Sequence, residues 1–193
     1  MTAGEMTDRD LLLAYSKSSD AESLGAFMRR YQDSLTRFAS RFLGDPEVAQ
    51  DVVQETFLQV ARHPARLLDV ENCHNWLLRV ARNIGITQIR KRERARRHAE
   101  ALGRRIAAEG GAAREDGAAR AVEDEEVRAR VHAEIARLSP RHREVLLLKV
   151  QEEKTYREIA EITGMSVTNV GFILHQAVKT LSRRLDGARE GLS

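Results

Sequence analysis

Leu24, Phe27, Tyr31, Leu35, Phe38 and Phe42 recur at intervals of three and four, so a helix beginning at Asp20 carries its bulky apolar residues on one face and turns that face to a core. Gly44 stops it, and Asp45-Pro46 restarts the chain as an N-cap followed by proline at the first helical position. The next helix, to about Arg62, points Val48, Val52, Phe57 and Val60 inward. Upstream, Thr7 with Asp10 caps a short helix carrying Leu11, Leu12 and Leu13. Downstream, His63-Pro64 opens a loop, and Asn72 caps a fourth helix containing Trp76, Leu77, Val80, Ala81, Ile84 and Ile89. From about His98 to Val122 the pattern dissolves into Ala, Gly, Arg and Glu with almost no bulky apolar residue, a composition unable to bury enough surface to fold alone. Helical spacing resumes near Asp124, and Ser139-Pro140 caps a helix through Val150. The expected architecture is all-α: two small helical domains over residues 1–97 and 123–193, joined by a flexible linker over 98–122.

The segment from Thr155 to Leu185 reads as two helices around a tight turn. Thr155 and Glu158 have the spacing of a reciprocal capping box, Gly164 supplies a left-handed stop, and Ser166 caps the second helix. Val170, Ile173, Leu174, Ala177 and Leu181 fall on an inward stripe, and small Ala160 permits a close crossing. The opposite face offers Thr168, Asn169, Phe172, His175, Gln176 and Lys179. Asn and Gln suit bidentate bonds to adenine, and Thr or an apolar ring suits a thymine methyl, so a helix-turn-helix reading bases in the major groove fits these residues. A packed helical hairpin without DNA is the alternative that the apolar pattern leaves open. Phe172 reads either as core or as a thymine contact.

Composition narrows the field. Only 5% of the 193 residues are aromatic and 3 are proline, which favours helix over sheet. The single Cys73 excludes an internal disulfide, and two adjacent residues, Cys73 and His74, do not make a zinc site without a second pair. With no long apolar run or cleavable leader, the expected setting is the cytoplasm without membrane insertion. The net charge of +3 conceals an asymmetry: residues 1–60 hold ten acids and six bases, whereas Arg79 to Arg97 holds eight bases and one acid. From Val127 to the end there are twelve bases against eight acids, so both stretches suited to nucleic acid are positive while the amino-terminal part is acidic.

In the helix after Pro46, Asp51, Gln54, Glu55 and Arg62 line a polar face, suited to solvent or to a partner helix. The run Asp45-Pro46-Glu47-Val48-Ala49-Gln50-Asp51-Val52-Val53-Gln54-Glu55-Thr56-Phe57, followed by Asn75-Trp76-Leu77-Leu78-Arg79-Val80-Ala81-Arg82-Asn83, resembles the sigma-70 family of bacterial transcription initiation factors, and more narrowly its extracytoplasmic-function group. The resemblance spans nearly the whole chain, with motifs in family order. It implies that Asp51, Gln54, Glu55 and Arg62 bind RNA polymerase core. It implies that the loop from about Ala65 to Cys73, with Trp76, Arg79, Arg82, Asn83, Gln88, Arg90 and Lys91, binds and melts the promoter's minus-ten element. It implies that Arg157, Ser166, Thr168, Asn169, Phe172, His175, Gln176 and Lys179 meet the minus-thirty-five element. An anti-sigma factor is a possible further partner, and no cofactor or catalysis is implied.

The sequence departs from the family pattern in its recognition helix, where Val170 to Gln176 holds no Lys or Arg; Lys149, Lys154, Arg157, Lys179, Arg183 and Arg184 are the expected suppliers of phosphate contacts. Thr87 stands where relatives often have Asp, and Ala61 where many have Trp. Two other classes compete. A sigma-like decoy that sequesters an anti-sigma factor is disfavoured by the intact basic stripe and by the lack of a control domain ahead of residue 1. A dimeric helix-turn-helix repressor leaves the Asp51 to Glu55 face without a purpose. Asp51 and Glu55 superficially resemble paired catalytic carboxylates, but no matching His, nucleophile or phosphate-binding glycine loop accompanies them.

Overall fold

The computed structural model describes residues 6–103 and 123–190, and among them every regular element is helical. The first domain holds α1 (Asp8–Ser18), α2 (Ala21–Leu43), α3 (Pro46–Arg62), a 3-10 turn over Pro64–Leu67, and α4 (Cys73–Gly103). The second holds α5 (Glu123–Ala136), α6 (Pro140–Val150), α7 (Tyr156–Thr163) and α8 (Val167–Glu190).

Helix ends follow their caps. Thr7 and Asp10 form a capping box on α1, Asp20 caps α2, and the Asp45 carboxylate accepts from the Val48 amide at 3.1 Å with Pro46 in the first turn of α3. Each such cap contributes about 1 kcal/mol. Gly44 ends α2 at φ 67°, a left-handed conformation that costs glycine no Cβ clash. Two expectations shift. Pro64–Leu67, expected as open loop, closes into a 3-10 turn that buries Leu67. Helix α4 continues to Gly103, so residues 98–103 of the expected linker are helical; residues 104–122 lie outside the described residues.

In the first domain α2 packs on α1, α3 and α4, and α3 packs on α4. Phe27, Leu35, Phe38 and Phe42 are fully enclosed, with Leu24 and Tyr31 at the margin of the same stripe. Burying each such side chain favours the fold by about 1.5–3 kcal/mol relative to exposure. Phe38 and Phe42 stack with ring centroids 5.6 Å apart. In the second domain α6, α7 and α8 enclose Val145, Leu148, Ile159, Ile162, Val170 and Ala177.

The domains also touch. Helix α2 meets α5 and α6, and α4 meets α7. Arg143 of α6 donates to the Phe42 carbonyl at the end of α2 at 2.9 Å, and to the carbonyls of Ala136 and Leu138. A cation there complements the negative end of α2 as well as its unpaired carbonyl.

Gly85 sets the approach of α4 to α2: a Cβ there would lie 3.1 Å from Phe42 Cε1 and 3.2 Å from Leu43 Cδ2. Replacing Gly85 with Leu forces those side chains apart and is expected to cost about 1–3 kcal/mol of stability through overpacking. Denaturant unfolding followed by circular dichroism reads this directly.

Candidate nucleic-acid and polymerase interface

Three surfaces carry the residues singled out by sequence. On α3, Asp51, Gln54 and Arg62 are exposed and Glu55 is half-buried, all along one stripe. Glu55 is held by Gln59 at 2.9 Å and by Arg62 at 3.3 Å, so its carboxylate keeps a fixed direction. Leu58, 38% exposed, lies between them on the same stripe and was missed by sequence reasoning because one apolar residue among polar ones carries no periodic signal. The stripe thus offers acceptors around an apolar spot, a surface suited to a partner helix.

Helix α4 carries the second set. Its apolar side, Leu77, Leu78 and Ala81, is buried, which turns Arg79, Asn83, Arg90 and Lys91 out to solvent, with Trp76 and Gln88 half-buried between. The Asn72 side chain accepts from the Asn75 amide at 2.9 Å, so the first turn of α4 is capped. Arg82 stands apart from its neighbours: its guanidinium pairs with Glu144 of α6 and also donates to Asn83 Oδ1 at 3.0 Å. Arg92 reaches back to the Asp45 cap at 2.7 Å, and the Asp45 carboxyl is held below its ordinary range by the Val48 amide first and Arg92 second.

The helix-turn-helix forms the third. Thr155 and Glu158 complete their capping box, Gly164 closes α7 at φ 73°, and the Ser166 hydroxyl accepts from the Asn169 amide at 3.3 Å. All five residues of the expected inward stripe are buried. Thr168, His175 and Lys179 are exposed and Asn169 and Gln176 are half-exposed, with Arg157 exposed on α7. Phe172 is 63% exposed, so it is no part of the core and joins the outward face. Lys149 stands over the Tyr156 ring, 5.8 Å from its centroid, and Lys154, expected as a phosphate contact, is only 7% exposed and meets His74 Nδ1 at 3.2 Å.

Sequence reasoning missed the seam between the domains. Ser34 donates to Glu152 at 2.6 Å, His74 Nε2 lies 2.8 Å from Ser34 and 3.3 Å from Glu152, and Arg41 donates to Gln151 at 2.9 Å. Asn75 Nδ2 donates to Glu158 at 3.1 Å. Burial pushes the Glu152 carboxyl upward, but the bonds from His74, Ser34 and Gln151 overcome it and the net direction is down. Glu144, 2% exposed, goes the other way: burial raises it and Arg82 only partly opposes. Ser34, His74 and Glu152 superficially suggest a nucleophilic triad, yet the Ser34 hydroxyl donates to the carboxylate and His74 Nδ1 faces the Lys154 ammonium, so nothing there activates the hydroxyl. Burial first, then the Asp8 carboxylate, push the Cys73 thiol up to about 11, unlike a reactive thiolate.

Residues 27–95 match Sigma-70 region 2, and residues 128–181 match Sigma-70, region 4. The factor SigL of Mycobacterium tuberculosis is 30% identical over 174 residues, covering 85% of this chain and 92% of its own. The chain belongs to the extracytoplasmic-function sigma factors of the sigma-70 family. It is also similar to the sigma factor SigW of Bacillus subtilis, at 27% identity over 88% of this chain and 92% of SigW. The fold is shared with the sigma factor RpoE solved with the anti-sigma factor NepR from Bartonella quintana, at a TM-score of 0.67 and 19% identity over 86% of this chain and 98% of that one. Among the described residues of this sigma factor, no helix is long and apolar enough to cross a membrane.

Glu158 permits a pH test of the α7 cap. The Thr155 amide, the Thr155 hydroxyl and the Asn75 amide group hold its carboxyl down at about 2, from an ordinary value of 4.5. A carboxyl depressed on folding stabilises above its unfolded pKa and loses that contribution as pH falls through the folded one. The stability advantage of the native protein over Glu158→Gln is therefore expected to be full at neutral pH and to shrink as pH drops from 4.5 toward about 2. Denaturant unfolding of both proteins across that range measures it.

Proposed function

We propose that this sigma factor binds RNA polymerase core through the α3 stripe and positions two promoter contacts, working in the cytoplasm and performing no catalysis of its own. Asp51, Gln54, Glu55 and Arg62 form the polymerase contact. Trp76, Arg79, Arg82, Asn83, Gln88, Arg90 and Lys91 serve the minus-ten element: aromatic and cationic side chains on one helix suit unstacked bases and single-strand backbone. The cost of unstacking a base, a few kcal/mol, is offset by such contacts. Arg157, Ser166, Thr168, Asn169, Phe172, His175, Gln176 and Lys179 serve the minus-thirty-five duplex. The observation that carries this reading is the order of the two matched regions in one chain, each presenting its outward face on a packed helical scaffold. The domain division at 1–97, 98–122 and 123–193 belongs to the same reading. An anti-sigma factor is a further partner, supported by the sigma factor RpoE of the same fold, solved in complex with the anti-sigma factor NepR.

Transcription reconstituted from polymerase core and this protein on a library of genomic fragments tests it. New transcripts are expected to start downstream of a shared pair of elements, and the double variant Asp51→Lys, Glu55→Lys is expected to abolish them without unfolding. Transcripts no different from those of core alone overturn the reading.

Base readout has a separate signature. Asn169→Ala and Gln176→Ala are each expected to relax preference at one or two positions of the upstream element, by about 1–3 kcal/mol of discrimination for a lost bidentate contact. A randomised promoter library sequenced from the transcripts measures this; unchanged preference would show that neither side chain reaches a base.

A further inference from the structure

Glycine inside a helix weakens it, because the unfolded chain has more freedom there and no side chain packs in return. Gly171 is the fifth residue of α8, beside the residues assigned to the duplex, yet the fold does not call for glycine at that point. Gly44 and Gly164 hold left-handed turns, and Gly85 lies where a Cβ would crowd Phe42. Gly171 has an ordinary helical backbone, and a Cβ on it would meet the Tyr156 ring at 3.5 Å, a normal van der Waals contact.

What the missing side chain leaves is a notch in the outward surface. Thr168 and His175 stand exposed one turn before and one turn after it, and Phe172 rises on one flank, 63% exposed. Tyr156 forms the other flank. Its Cε2, bonded to the carbon that carries the hydroxyl, is the atom nearest the glycine. The ring is 40% exposed, and its hydroxyl makes no hydrogen bond among the described residues. Lys149 Nζ stands 5.8 Å from the centroid of that ring and donates once, to the Lys154 carbonyl at 3.3 Å, which leaves two of its three protons for a ligand.

We propose that this notch seats a backbone phosphate of the bound duplex, with Gly171 permitting the close approach and the Tyr156 hydroxyl and Lys149 ammonium donating to the phosphate oxygens. The proposal rests on the reading of α8 as the duplex-reading helix. It adds how a recognition helix without Lys or Arg from Val170 to Gln176 is held at a fixed depth in the groove. Phosphate rather than a base edge is the occupant because the flanking donors are a hydroxyl and a compact cation on a flexible stem, which recognise charge without reading sequence. Phosphate contacts fix register while bases are read elsewhere, so Gly171 is a positioning residue for Asn169 and Gln176.

The test uses the full chain with polymerase core, on the promoter duplex that yields most transcript in the reconstituted assay, with affinity measured across salt concentrations. Gly171→Ala leaves every charge in place. It is expected to lower the unfolding equilibrium constant of the free protein by about two- to fivefold, as the loss of a helical glycine dictates. It is expected at the same time to weaken promoter binding and to flatten the log–log salt dependence by about 0.9, the share of one phosphate. Lys149→Gln is expected to flatten it equally, and the two changes together no more than either alone. The control is Gly25→Ala, at the fifth position of α2, where a Cβ would meet the movable guanidinium tip of Arg29 at 3.2 Å. It is expected to stabilise the protein in the same way and to leave promoter binding as it is. A native salt slope in Gly171→Ala, or additive flattening in the double variant, overturns the notch and leaves α8 as the reader. Loss of stability in Gly171→Ala overturns it too, because the fold itself would then require the glycine. Polymerase core that gains no promoter from the native protein defeats the reading of α8 and the notch together.

Discussion

The apolar side of α4 is the constraint on which the molecule turns. Leu77, Leu78 and Ala81 are buried against the first domain, and Gly85 allows α4 to lie close to Phe42 and Leu43. That packing fixes the rotation of the helix, and rotation alone decides which residues face outward at a period of 3.6. Beyond the packed part the helix runs on through Arg90, Lys91, Arg92, Arg94, Arg96 and Arg97. Arg90 with Arg94 and Arg92 with Arg96 are like charges at i,i+4, which weakens a helix. This segment is sustained as a continuation of the packed turns rather than as a nucleus of its own. A polyanion laid along such a segment removes the repulsion, so on the proposed function the residues that weaken the free helix favour its binding to nucleic acid.

Much of this was legible in sequence because it is local. Thr7, Asp45, Thr155 and Ser166 cap the helices they were expected to cap, and the stripes from Leu24 to Phe42 and from Val170 to Leu181 face inward. The 3-10 turn at Pro64–Leu67 escaped notice because a single tight turn has no repeating signal. The seam escaped for a different reason: Arg82 and Glu144, or Ser34 and Glu152, are far apart in the chain, and such pairs leave no periodicity. A trace was present in Glu144, an acid directly before the apolar run Val145 to Leu148, and buried as that run is. Surface roles are legible only as exposure: the packing places Asn169, Phe172 and Gln176 outward without saying what they touch.

Apolar surface gives each domain a deep, non-directional gain, and the buried apolar residues of both form one cluster. Across the seam the polar pairs add direction, and desolvation offsets most of their attraction. Arg143 is the exception, since it holds the Phe42 carbonyl from α6 while one of its own nitrogens stays buried without a partner. Burial also pulls its guanidinium pKa down, a mark of a cation kept from water without a facing carboxylate. Its gain is geometric, a fixed crossing between α2 and α6, and it adds little to stability.

On the proposed function, charge is divided unevenly between the two DNA-facing helices, and the division has a physical consequence. The basic run of α4 would attract phosphate strongly and with steep salt dependence, while α8 would meet the groove with uncharged Thr168, Asn169, Phe172 and Gln176 and rely on Arg157, Lys179 and Arg183 around it. A reader built this way discriminates among bases better than it adheres to duplex. Such a weak module suffices when it arrives already attached to a larger assembly on the same DNA, because tethering supplies an effective concentration of order millimolar. On the proposed function that assembly is the polymerase, so specificity resides in α8, and adhesion in α4 and the machine.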